Sequence, residues 1–392
     1  MHNFYSEKSS DGRPHILAKW AFRIAIIGST VAVLCMVFHN TSHHFDHFYH
    51  KSSYLPWPSM SSLSKPLPTL SSSPVVSSSK TWDGMAFVKN DTKLRKILRR
   101  AAMKDKTVII TTLNEAWAAP NSVLDLFVES LRIGNQTQGL LNHLVVIALD
   151  YNAYRRCTTL HLHCYFLTTK GIDFSRQAAY MTNIYLTMMW RRTNFLRIIL
   201  EEGYNFLFTD ADIMWFRDPF PRLFPDVDFQ IACDNFNGNS SDKNNWPNGG
   251  FKFVRSNRRT IEFYRYWNAS RERYPELNEQ DILNHIKFDT HVAKIGLEMR
   301  FLSTDYFGGF CMPSKDFNLV CTMHANCCLG LDNKVKDVSS MLDDWRAYMT
   351  LISAHKATQH MSWTVPNYCR PPDAGRGPTV KLNAFDSRDK SA

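Results

Sequence analysis

The 392 residues hold no nucleic-acid-recognition motif and no aromatic RNP-like pattern. The formal net charge of +10 therefore does not point to DNA or RNA. It fits a solvated basic surface, a membrane surface or an anionic small substrate. No internal repeat is visible, which excludes a repeat architecture. No small-residue cleavage site follows the first apolar run, which favours a retained anchor over a removed signal peptide, with a buried core helix as the plainer reading.

That run is Trp20 to Phe38, interrupted by a single charge, Arg23. As a helix it measures roughly 28 Å, close to a bilayer core of about 30 Å. Arg23 sits near one end, where its stem can snorkel. Lys8, Arg13 and Lys19 precede it, so residues 1–19 read as a cytosolic tail and 20–38 as a single-pass type II signal anchor. Residues 39–80 are rich in Ser, Pro and His and read as a disordered stem. Folded chain is expected over 81–370, with a disordered tail at 371–392.

Within that span apolar runs and helical patterns alternate. Strands are expected at Thr107 to Leu113, Leu144 to Leu149 and around Tyr165. Helices are expected at Asp91 to Lys104, Ser122 to Ile133 and Arg176 to Glu202, the last carrying Met181, Tyr185, Met188, Phe195 and Ile199 on helical spacing. This order predicts an α/β fold with a mostly parallel central sheet flanked by helices. Further strands are expected at Asp228 to Ala232 and Gly250 to Val254, joined by a polar loop. Helices follow at Thr260 to Tyr274 and Asp337 to Ser353.

Everything is arranged around Asn205 to Phe220, where a buried apolar strand runs into Asp210-Ala211-Asp212. If the backbone stays extended through Ala211, both carboxylates point the same way. Open α/β sheets place ligands at such strand ends. Two carboxylates there need a cation or hydrogen bonds, and oxygen ligands suit Mg²⁺ or Mn²⁺. The plainer reading is a turn carrying two solvated aspartates.

Of the nine cysteines, Cys35 lies in the anchor and the others follow it. Cys321, His324, Cys327 and Cys328 admit a zinc reading, but C-x₂-H-x₂-C-C is tighter than the usual finger pairs. Separate disulfide partners for Cys327 and Cys328 are favoured, and their connectivity stays open. Asn90, Asn135, Asn239 and Asn268 head N-x-Ser/Thr acceptor sites. Together with the anchor these favour a Golgi or endoplasmic-reticulum lumen, and a Golgi membrane protein with a lumenal catalytic domain is expected.

Four motifs in order carry a resemblance over roughly 108–351: Phe208-Thr209-Asp210-Ala211-Asp212, Trp246-Pro247-Asn248-Gly249-Gly250, Asn278-Glu279-Gln280-Asp281 and His324-Ala325-Asn326-Cys327-Cys328-Leu329-Gly330. The chain resembles the plant nucleotide-diphospho-sugar transferases of glycosyltransferase family 77 and, distantly, the glycogenin-type retaining transferases. The resemblance implies a GT-A fold, Mn²⁺ with a nucleotide sugar, and retention at the anomeric carbon. It implies Asp210, Asp212 and His324 as metal ligands, with a structural histidine the other reading of His324. Asn248, Gly249 and Gly250 would approach the donor sugar, although a plain turn would also explain them. Glu279, Gln280 and Asp281 are placed near the chemistry, with one of them capping a helix. Thr111, Thr112 and Asn114, with Leu113 between them, lie where the fold holds a nucleobase. The order His324, Gly330, Lys334 is kept with longer spacing, which leaves Lys334 a phosphate contact or a solvated lysine.

The expected activity is retaining transfer of a sugar, pentose or galactose, from a UDP-sugar to a cell-wall polysaccharide or glycoprotein. A catalytically silent lumenal scaffold that binds nucleotide sugar is the alternative. Retention by double displacement or by a same-face route is left open.

Overall fold

The computed structural model describes residues 91–160, 163–351 and 361–369. The anchor at 20–38, the stem at 39–80 and the tail from 371 lie outside the described residues. Among the described residues, no helix is long and apolar enough to cross a membrane.

The strands are β1 (Thr107–Leu113), β2 (Leu144–Ala148), β3 (His163–Phe166), β4 (Asn205–Thr209), β5 (Ile213–Trp215), β6 (Phe229–Asn235), β7 (Trp246–Val254), β8 (Met299–Phe301), β9 (Phe307–Gly309) and β10 (Thr322–His324). Seven form one sheet in the order β3-β2-β1-β4-β7-β6-β8, and β5-β10-β9 form a second. In the large sheet only β7 runs against its neighbours. The sheet is therefore mixed, with six of its seven strands sharing one direction. Side chains alternate across it as the pleat requires. Leu144, Val146 and Ala148 enter one core, while Val145 and Ile147 enter the other.

The helices are α1 (Thr92–Ala101), α2 (Glu115–Ala118), α3 (Val123–Ile133), α4 (Tyr151–Thr159), α5 (Asn183–Glu201), α6 (Arg258–Ser270), α7 (Glu279–Ile286), α8 (Thr290–Ile295) and α9 (Leu331–Thr350). Helices α3 and α9 pack into the first core, and α1, α5, α6 and α7 into the second. Polar residues set their starts: Asp91 accepts from Lys93 and Leu94, Asn278 from Asp281, and Asn257 with Thr260 forms a capping box.

Four expectations need correction. The long helix begins at Asn183 rather than Arg176, because Thr182 caps it and Met181 just before has a φ of 62°. The last helix begins at Leu331 rather than Asp337, which puts Lys334 on its first turn. Strand β7 begins at Trp246, so Asn248-Gly249-Gly250 lie inside a strand and not in a loop before one. The aspartate strand does not stay extended. It ends at Thr209, turns, and resumes as β5 in the other sheet. The Asp210 N–H donates to the Gly250 carbonyl at 2.7 Å, and the Ile213 N–H donates to the Asp210 carbonyl at 3.2 Å.

Disulfides join Cys157 to Cys164, Cys311 to Cys327 and Cys328 to Cys369. Cys327 and Cys328 thus take separate partners, which removes the zinc reading. Cys233 and Cys321 are buried free thiols. The last two bridges brace the stretch that follows His324. There Asp337, fully buried, accepts the N–H groups of Asn367, Tyr368 and Cys369.

Candidate metal and donor site

The turn at 210–212 bridges the two sheets, and that is how both aspartates reach one place. Strand β10 pairs antiparallel with β5, setting His324 opposite Ile213. Asp210, Asp212 and His324 each offer a ligand atom, all within 4.8 Å of one another.

The remaining oxygens are already held. Asp210 Oδ1 accepts from Arg192 Nη1 at 2.7 Å. Asp212 Oδ2 accepts from Lys334 Nζ at 2.5 Å, and that ammonium also donates to the Ala325 carbonyl at 2.7 Å. Lys334 is therefore not a solvated lysine. Asp212 Oδ1 lies 3.2 Å from His324 Nε2 but is not aligned for a hydrogen bond, so it is a buried oxygen without a donor. Burial alone would raise the Asp212 carboxyl. Lys334 and then His324 outweigh burial and hold it well below the usual carboxylate range.

An ionised, buried oxygen with no donor beside a second carboxylate and an imidazole fits a divalent cation. Gly250 leaves the room for it. A Cβ there would meet His324 Cε1 at 2.6 Å and Asp210 Oδ2 at 2.7 Å, so even alanine would push into the cluster.

Arg192 was missed from the sequence. It sits on α5, nearly fully buried, and donates to Glu279 Oε1 at 2.5 Å as well as to Asp210. Burial opposes its charge, but Asp210 and Glu279 prevail and raise the guanidinium above its ordinary value. Glu279 Oε2 is buried without a hydrogen-bond partner. A signal was available: Arg192 takes the position between Met188 and Phe195 on the apolar stripe of that helix, where a cation has no reason to be unless paired.

Asp234 was missed as well. Its Oδ1 accepts from Asn248 Nδ2 at 2.8 Å and Asn326 Nδ2 at 2.7 Å, and its Oδ2 from Gln280 Nε2 at 2.9 Å. One carboxylate thus gathers amides from β7, α7 and the loop after β10. Gln280 Oε1 in turn accepts the Gly249 N–H at 2.8 Å.

Of the other candidates, Ala211 is buried in the core beneath the turn. Gly330, with a φ of 88°, starts α9 and so aims Lys334 inward. Asn278, not one of the three residues after it, caps α7. Thr111 is buried with an unpartnered hydroxyl, and Thr112 is half-buried on the same strand end. Asn114 caps α2 through its oxygen and donates both amide hydrogens to the carbonyls of Phe174 and Arg176, at 2.9 Å each. It holds the neighbouring segment and has no amide hydrogen left for a base.

Asp281 is pushed up to about 6, first by burial and then by the charges of Glu279 and Asp234. It takes up a proton on folding between its unfolded value of about 3.9 and 6. The stability it contributes is therefore full at low pH and is lost as pH rises through 6. Asp281→Asn should flatten the fall in melting temperature between pH 4.5 and 7; an unchanged slope would refute this assignment.

The profile of the nucleotide-diphospho-sugar transferase family matches residues 139–338, just over half of the 392. The chain is 52% identical over 300 residues to the Arabidopsis thaliana "Uncharacterized protein At4g15970", covering 76% of this chain and 79% of that protein. It is 39% identical over 277 residues to the Arabidopsis thaliana "Uncharacterized protein At1g28695", covering 68% and 83%. Among solved structures, mouse xyloside xylosyltransferase 1 in its apo form aligns with a TM-score of 0.36 at 13% identity, covering 56% of this chain and 98% of that one. The sequence matches place this α/β chain, with its mixed sheet, in the nucleotide-diphospho-sugar transferase family.

Proposed function

We propose that the chain is a metal-dependent glycosyltransferase that moves a sugar, pentose or galactose, from a UDP-sugar to a cell-wall polysaccharide or glycoprotein with retention. The observation that carries this is the Asp210–Asp212–His324 cluster, in which Arg192 and Lys334 hold one oxygen of each carboxylate while the Asp212 Oδ1 has no donor. Asp210, Asp212 and His324 would hold Mn²⁺ or Mg²⁺, which supplies Lewis acidity toward a departing diphosphate. Arg192 orients Asp210 and ties it to Glu279, so one guanidinium links the metal ligand to a second buried carboxylate. Gly249 and Gly250 let the backbone come close to the sugar, and Asn248 and Gln280 hold that backbone in place. Glu279 Oε2, buried and unpartnered, is the carboxylate oxygen at hand for either route to retention. The three disulfides suit an oxidising lumen, in line with a Golgi type II protein anchored by residues 20–38.

The test uses the purified full chain with a panel of UDP-sugars, with and without Mn²⁺. A donor at a hundred times its Kd should add about 2.7 kcal/mol of stability, and only with metal present. Stabilisation without hydrolysis or transfer over a broad acceptor panel would favour the silent scaffold. No metal-dependent stabilisation by any UDP-sugar would sink the proposal.

A further inference from the structure

Strand β7 carries more residues than its partner where it passes the site. Ile231 faces Lys252 and Cys233 faces Pro247, so Asn248 to Phe251 stand opposite Ala232 alone. The surplus forms a bulge, and bulges beside active sites re-aim the chain at the cost of ladder hydrogen bonds. Every polar group of its two glycines finds a substitute partner. The Gly249 N–H donates to Gln280 and the Gly250 N–H to Asn248 Oδ1 at 2.9 Å. The Gly250 carbonyl accepts from Asp210. The Gly249 carbonyl accepts from Lys252 Nζ at 2.7 Å.

Lys252 is 1% exposed, and its Nζ lies 4.4 Å from the centre of the Phe208 ring and 6.0 Å from that of Trp267. Among the described residues no carboxylate bonds to it. A lysine buried in the run Phe251-Lys252-Phe253-Val254 is costly unless its nitrogen has a task. Burial, and next the charge of Arg192, lowers it to about 7. Charged or neutral, the nitrogen keeps a hydrogen to donate.

We propose that Lys252 is a positioning residue of the transfer reaction: by holding the Gly249 carbonyl it fixes the glycine arc against Asp210 and His324. The proposal rests on the metal-dependent reading above. Without that donor the carbonyl is orphaned in an apolar place, the arc relaxes, and the room beside Gly250 changes shape.

Lys252→Met keeps the apolar stem and removes the donor. In the full chain it should weaken Mn²⁺ binding at least tenfold and lower kcat on the order of 100-fold, the scale of an ångström-sized misplacement. With Mn²⁺ raised to saturate each variant, UDP affinity should change less than threefold. Lys287→Met removes the other buried lysine among the described residues, which holds the Asn245 carbonyl at 2.6 Å, and serves as the control for lost stability alone. Its metal affinity and kcat should stay within twofold. Lys252→Ala should regain at least a tenth of the lost kcat with added propylamine and none with propionitrile, which is of similar size and has no hydrogen to donate. Metal affinity and kcat within twofold in Lys252→Met, or no rescue of Lys252→Ala, would overturn the proposal. Amide exchange at Gly249 should be at least tenfold faster in Lys252→Met, and this needs neither metal nor activity. Unchanged exchange would overturn the clamp, whereas an unaltered chain that binds no metal would count against the functional reading alone.

Discussion

Asp210→Ala should lower metal-dependent sugar transfer on the order of 10³-fold while leaving the fold intact. The carboxylate is a quarter exposed and directly follows a strand whose apolar residues carry the packing. Arg192 keeps Glu279 as a partner after the change, so no buried cation is stranded. What is lost is charge stabilisation at the departing diphosphate, about 4 kcal/mol for a well-placed group. Asp212→Ala should match this loss and also destabilise the protein. Asp212 is 3% exposed at its side chain and is the only carboxylate bonded to Lys334 among the described residues. Comparing transfer rate with melting temperature in the two variants separates the effects. Full activity in Asp210→Ala would remove the metal reading.

Arg192→Met should unfold the protein more readily than any surface change. Arg192 and Glu279 are 6% and 4% exposed at their side chains, and the Glu279 Oε2 has no donor even in the unaltered chain. Breaking a buried pair from one side typically costs about 3–5 kcal/mol, because the remaining charge stays buried alone. For a domain of this size that is a fall in melting temperature of roughly 10 °C. Adding Glu279→Gln should return part of the stability, since an amide is cheaper to leave unpaired than a carboxylate. Transfer should not return, because Asp210 would lack its orienting partner. A double-mutant cycle on melting and on kcat measures both statements. If Arg192→Met melted like the unaltered chain, the pair would have little energetic weight.

The partners of a charged group explain why some site residues were legible and others not. Asp210, Asp212, Asn248, Gly250, Gln280 and His324 sit in short motifs whose residue types announce polar or backbone chemistry. Arg192, Asp234 and Lys252 sit singly in apolar or unremarked stretches. Each became meaningful only when a carboxylate, three amides or a bare carbonyl was found opposite. Lys334 stayed open between two readings for the same reason: its spacing from His324 is irregular along the chain, and the early start of α9 brings it back to Asp212.

Local pattern was sufficient for the α/β alternation, the helix caps and the order of the motifs, because apolar period and capping chemistry act within a few residues. It also sufficed to place the aspartate pair at a strand end and to favour separate partners for Cys327 and Cys328. It could not show that the strand breaks between two sheets, that β7 runs backwards, or that a three-residue surplus in β7 makes the glycine arc. Those features come from pairing between segments far apart in the chain. Only the folded chain decides which buried charge meets which partner, since that choice is made by backbone groups and side chains that no local pattern brings together.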